Sequence, residues 1–219
     1  MRLTPQTSPP CSLYLVTPLL SAADADAFAR IFARALTAAP IACALVRIAP
    51  DSLAHAQAIA APFLRAAMDA GCAVLVEDDV PLAARLGADG VHVAGAGADL
   101  EAAIKWAKPD RIVGAGALRT RDEAMTAAEM GADYVMFGEP FEGTRTMSMA
   151  SLTERVAWWA EIFETPCVAC ADTVPAAGAL ADAGADFVAL GEAIWSALSP
   201  EDALREAQGL IASLGVAAP

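Results

Sequence analysis

A junction of Gly-Ala-Asp leading into an apolar run occurs three times along the chain, and that repetition constrains the fold more than any other feature. The copies are Leu86-Gly87-Ala88-Asp89-Gly90-Val91-His92-Val93, Met130-Gly131-Ala132-Asp133-Tyr134-Val135-Met136-Phe137-Gly138 and Ala183-Gly184-Ala185-Asp186-Phe187-Val188-Ala189-Leu190-Gly191. Each places glycine where a helix should end, because glycine takes the left-handed backbone at little cost. Each then sets a polar Asp ahead of a run suited to a buried parallel strand. One junction used repeatedly implies one supersecondary unit used repeatedly, a helix returning to a strand.

Outward from these junctions the chain divides into alternating elements. Strands are expected at 13–17, 41–48, 73–76, 90–93, 111–115, 133–137, 167–171 and 187–190. Helices are expected at 21–36 with Ser21 as N-cap, at 52–68, over a short stretch after Asp79, and at 100–107, 121–130, 152–163, 175–183 and about 200–214. No hairpin signal separates the strands. The order fits a parallel (β/α)8 barrel in one domain over residues 13–219, behind a mobile Pro-rich leader at 1–12. A doubly wound eight-strand sheet is the alternative, and equivalent junctions favour units arranged around an axis.

A length of 219 residues is ordinary for a single barrel. The formal net charge of −13, with only 14 Lys+Arg, argues against the concentrated basic face that nucleic acid or an anionic membrane surface requires. Alanine is the largest single part of the 57% hydrophobic share, and no apolar run approaches the roughly 20 residues of a spanning helix. The leader lacks the apolar segment of a secretory signal. Five cysteines at no framework spacing point to reduced thiols in a cytoplasm.

In parallel α/β folds chemistry is placed at the C-terminal ends of strands. Glu77, Asp78 and Asp79 follow the third strand there. Mg²⁺ is commonly held by one or two carboxylates plus substrate phosphates, which makes Asp78 a metal candidate. The plainer alternative is a solvated turn in which Asp79 caps the next helix. Arg47 and Arg145 are candidate anion ligands, with Glu77, Asp78, Glu139 and Glu192 available to pair with them instead. Cys167-Val168-Ala169-Cys170 has a metal-motif spacing, yet residues three apart in a strand face opposite sides. His92 is expected as a hydrogen-bonded barrel histidine and His55 as an exposed helix residue. Trp106, Trp158, Trp159 and Trp195 are expected in the helical shell or at a subunit contact, which leaves a homo-oligomer open.

Leu13-Tyr14-Leu15-Val16-Thr17, Asp78-Asp79, the run from Leu86 to Val93 and the run from Gly131 to Gly138 together resemble the thiamine phosphate synthase and thiazole tautomerase family. The resemblance spans nearly the whole chain. It implies a (β/α)8 barrel that couples hydroxymethylpyrimidine diphosphate to thiazole phosphate and releases pyrophosphate with magnesium as cofactor. By position, Leu45-Val46-Arg47-Ile48-Ala49 keeps only Arg47 of the family's phosphate-holding Gln-x-Arg-x-Lys. Glu77-Asp78 stands for an Asn-Asp pair and keeps the metal carboxylate, while the second metal carboxylate falls near Gly97, with Asp99 able to serve if the loop is longer. The serine that meets pyrophosphate is Gly116 here, and the tautomerase histidine is Leu118. A Thr-x-Thr-Lys run becomes Gly143-Thr144-Arg145-Thr146, so that Thr144 and Arg145 are implied substrate ligands, Arg145 standing in for the lysine. A Gly-Gly pair becomes Ala171-Asp172, and Asp172 and Glu192 occupy the loop positions where barrels often bind phosphate.

Two functions follow from this pattern. One is a synthase acting on phosphorylated small molecules, in which Asp78 holds Mg²⁺ while Arg47 and Arg145 neutralise the departing diphosphate. The other is a barrel of the same descent that has lost this activity and serves as a binding or regulatory protein.

Overall fold

The computed structural model describes residues 10–139 and 147–213. Its strands are β1 (Ser12–Leu20), β2 (Ile41–Ile48), β3 (Ala73–Glu77), β4 (Gly90–Ala94), β5 (Ile112–Gly116), β6 (Tyr134–Phe137), β7 (Cys167–Ala171) and β8 (Phe187–Leu190). The helices are α1 (Ala25–Leu36), α2 (Ala56–Ala70), α3 (Val80–Leu86), α4 (Ala98–Ala107), α5 (Arg121–Met130), α6 (Met149–Ile162), α7 (Ala176–Asp182), α8 (Glu192–Trp195) and α9 (Pro200–Ala212). All strand pairs are parallel, and β8 closes on β1 to give the expected barrel.

Side chains alternate along each strand, and the alternation creates two cores. Leu13, Leu15, Ala44, Val46, Val74, Val76, Val91 and Val93 face the helices. Tyr14, Val16, Cys43, Leu45, Leu75, Tyr134, Met136 and Cys170 fill the barrel. Cys167 belongs to the outer core and Cys170 to the inner one, as the strand period requires.

The repeated junction has a definite bonding role. Gly87, Gly131 and Gly184 take φ of 66°, 102° and 99°, so each helix ends in a left-handed turn. The following Asp then reaches back to the start of the preceding strand. Asp89 Oδ2 accepts from Val74 N–H at 2.7 Å, Asp133 Oδ2 from Val113 N–H at 2.8 Å, and Asp186 Oδ2 from Cys167 N–H at 2.8 Å. Their own N–H groups donate to the carbonyls of the same three residues. Each aspartate therefore brackets the foot of one strand pair.

Several element ends differ from the sequence expectation, for local reasons. Ser21 is not the N-cap of α1. Its carbonyl accepts from Asp24 and Ala25 in an extra turn, and Asp24 takes the cap position. β1 runs past Thr17 through an irregularity between Val16 and Leu19 and pairs as far as Leu20 with Ile48. Residues 50–55 wind as a 3-10 helix opened by Pro50, so α2 starts only at Ala56. The four-residue α8 was not expected, being too short to show a helical period.

Candidate active site

The mouth of the barrel is built from the C-terminal ends of its strands. Arg47, near the end of β2, is held at two points. Its N–H donates to Thr17 Oγ1 at 3.0 Å, and its Nε donates to Glu77 Oε1 at 2.9 Å. The two charged side chains are 15% and 19% exposed, so their pairing is shielded from bulk water. The contact between them, open in the sequence, is therefore made, and it ties together the ends of β1, β2 and β3.

Asp78 is the first residue beyond β3 and is exposed. Its backbone is left-handed, with φ of 50°. That conformation lets the residue grip β4 twice: Asp78 N–H donates to the His92 carbonyl at 2.9 Å, and Asp78 Oδ1 accepts from Ala94 N–H at 2.8 Å. Asp79 caps α3 by accepting from Leu82 N–H at 2.7 Å. Asp99 lies exposed in the first turn of α4. Among the described residues no group of three or more His, Cys, Asp and Glu is arranged to hold a metal ion.

Gly116, at the end of β5, has a steric role that its sequence position did not reveal. A Cβ there would lie 1.8 Å from Glu139 Oε1 and 2.3 Å from His92 Nε2. Two residues earlier, on the same inward face, a Cβ on Gly114 would lie 2.0 Å from the Tyr134 ring. The two glycines open a slot for buried polar groups. Within it, the Tyr14 and Tyr134 hydroxyls are 3.0 Å apart, and Tyr134 Oη is 2.8 Å from His92 Nδ1. His92 is thus the hydrogen-bonded barrel histidine that its sequence position suggests. Leu118, where the resemblance implies a histidine, is buried in the outer core.

Beside this slot a cavity of about 440 Å³ opens over β1 and β6 to β8. Arg47 lines it together with Met147, Leu152, Trp195, Asp172 and Glu192. Trp195 is fixed there by Nε1–H donating to the Val16 carbonyl at 2.6 Å. Cys170, also on the wall, has its thiol pushed well up, first by burial and then by the nearby Glu139 carboxylate, against a smaller opposing effect of Arg47. Thr144 and Arg145 lie outside the described residues. Nothing in the local pattern marks Thr17 as the acceptor for Arg47, or Glu139 as a buried carboxylate. A hint for the second lies in Gly114 and Gly116, small residues alternating on one face of a strand.

The sequence profile of the family described as thiamine monophosphate synthase matches residues 13–194, from the first strand to the last helical turn of the mouth. The chain belongs to this family. The thiamine-phosphate synthase of Rhodospirillum centenum is 40% identical over 191 residues, covering 85% of this chain and 90% of that protein. That of Hyphomonas neptunium is 35% identical over 218 residues, 96% of this chain and 98% of that one. A solved thiamine phosphate pyrophosphorylase from Pyrococcus furiosus superposes with a TM-score of 0.76 over 93% of this chain and 96% of that chain. At 22% identity it supports the fold alone. Membership of the thiamine monophosphate synthase family thus agrees with the closed eight-stranded barrel.

Proposed function

We propose that the chain is a thiamine-phosphate synthase that joins hydroxymethylpyrimidine diphosphate to thiazole phosphate in the cytoplasm. The observation that carries this reading is the 40% identical synthase, 90% of which is covered by this chain. Among the described residues no helix is long and apolar enough to cross a membrane, which agrees with small phosphorylated substrates reached from solution.

The donor chemistry at the mouth fits Mg²⁺. Asp78 offers a hard oxygen donor at a strand end, with Oδ1 oriented by Ala94 N–H and the carboxylate open to solvent. Asp78 would hold the ion, with Asp99 as a further oxygen donor from the α4 turn. Bound there, Mg²⁺ supplies charge neutralisation to a departing pyrophosphate. Arg47 serves the same end from β2. Glu77 engages its Nε, and Arg47 also lines the cavity. Gly116 clears space beneath, while Thr144 and Arg145 are assigned to the diphosphate by resemblance.

Asp172 and Glu192 in the cavity wall are the features that would suit a repurposed barrel. Relatives named as synthases that match almost end to end weigh against that alternative. The purified chain, given both substrates and Mg²⁺, should form thiamine phosphate and pyrophosphate, and Arg47→Ala should lower kcat/KM by about 100-fold. Absence of product with any divalent ion would return the chain to the binding-protein reading.

A further inference from the structure

Glu139 is a buried acid that the reaction above leaves unused. Its side chain is 3% exposed and that of His92 is 2% exposed, with Glu139 Oε1 lying 3.4 Å from His92 Nε2. The same oxygen accepts from Ala117 N–H at 2.8 Å. A carboxylate at such depth is costly unless its surroundings compensate it. Part of that compensation comes from the loop after β5, through Ala117 N–H.

We propose that Glu139 is a positioning residue for Asp78, acting through His92. The link is the main chain of β4, whose residue 92 carbonyl and residue 94 N–H both bind Asp78. Glu139 Oε1 faces the ring of His92, the residue to which Asp78 is attached. The β5 side is braced as well, because Gly95 N–H donates to the Gly116 carbonyl at 2.7 Å. Among the described residues, the non-glycine positions with left-handed backbone are Asp78 and Ala117, at φ of 50° and 53°. One sits at each end of this brace. Such conformations are costly and persist only where the surroundings impose them. In the tautomer that turns an N–H at Nε2 toward this carboxylate, Nδ1 accepts from the Tyr134 hydroxyl, which is in turn within hydrogen-bond distance of the Tyr14 hydroxyl. Burial pushes both phenols well above their usual range, so they remain donors.

This inference rests on the synthase reading for the role of Asp78. The chain has two histidines, and exposed His55 provides an internal reference. Full-length protein carrying ¹⁵N-histidine would be titrated with Mg²⁺ in the presence of inorganic pyrophosphate at one fixed pH, and Mg²⁺ affinity measured by calorimetry. The native spectrum should show His92 protonated on Nε2, with ring resonances that move on adding Mg²⁺ while those of His55 do not. Glu139→Gln should change the His92 pattern and weaken Mg²⁺ binding by about tenfold or more. His92→Gln, which keeps an N–H donor toward Glu139, should retain more affinity than His92→Leu. Mg²⁺ affinity unchanged in Glu139→Gln, or native His92 resonances indifferent to Mg²⁺, would overturn the assignment. Should Glu139→Gln not fold, the native titration and the two His92 variants decide it. A chain that makes thiamine phosphate while its Mg²⁺ affinity ignores Glu139 loses this inference alone. One that makes none and binds no Mg²⁺ loses both.

Discussion

At the foot of the barrel Asp89, Asp133 and Asp186 each accept from a backbone N–H, 15, 20 and 19 residues upstream respectively. At the mouth Glu139 does similar chemistry, but it joins Ala117 on β5's loop to His92 on β4, in a slot that Tyr14 enters from 120 residues before Tyr134. One end thus uses a short-range bond three times over. The other uses a single arrangement gathered from distant strands. The foot is designed as a repeat, and the mouth as a particular.

The contrast can be broken most forcefully with two glycines. A Cβ on Gly90 would lie 1.9 Å from the Ile112 carbonyl oxygen, where backbone meets backbone. Gly90→Ala should therefore cost about 4 kcal/mol in urea unfolding, at the severe end of single substitutions. Gly116→Ala meets side-chain ends instead and should cost about 2 kcal/mol, with a larger fall in Mg²⁺-dependent turnover. Equal losses of stability at the two sites would erase the distinction between a stiff foot and a yielding mouth.

Next in size is the bracket itself. Asp186→Ala removes the acceptor for Cys167 N–H and should cost about 2 kcal/mol, leaving kcat per folded molecule unchanged. A kcat that falls in step with stability would show that foot and mouth are not separable.

The smallest effect concerns thiols close to two of the brackets. Burial, with Asp89 adding to it, raises the Cys72 thiol from the usual 9.0 to about 12, and burial raises that of Cys167 to about 12. The folded chain then holds these protons more tightly than the unfolded one. Their stabilisation is complete below pH 9.0 and is lost as pH rises toward about 12. Stability should begin to fall as pH rises past 9.0, and Cys72→Ala with Cys167→Ala should flatten that slope. An unchanged slope in the double variant would place the titrating groups elsewhere.

The same contrast explains what the sequence could reveal. β2, β7, β8 and α5 have the expected limits because their signals are local: an apolar run, a terminal glycine, and a capping box at Thr120 and Glu123. The Arg47–Glu77 pair could be anticipated only as a possibility, since the two residues meet across a strand register. Glu139 stood in view as one acid among several at the mouth. Its burial depends on space left by Gly116 and on a ring from β4, and neither fact is written near residue 139. Thr17 reaches Arg47 only because β1 continues past the point where its apolar run ends.

The aspartate brackets also bear on how the cylinder comes together. A bond spanning 15 to 20 residues closes a short ring of chain, and the entropy of ring closure rises by about 0.6 kcal/mol with each doubling of length. Three such rings can seal before the ends of the sheet meet, so that the last step joins preformed staves rather than a loose ribbon. A cooper's barrel is assembled in the same order, with the hoop drawn tight last.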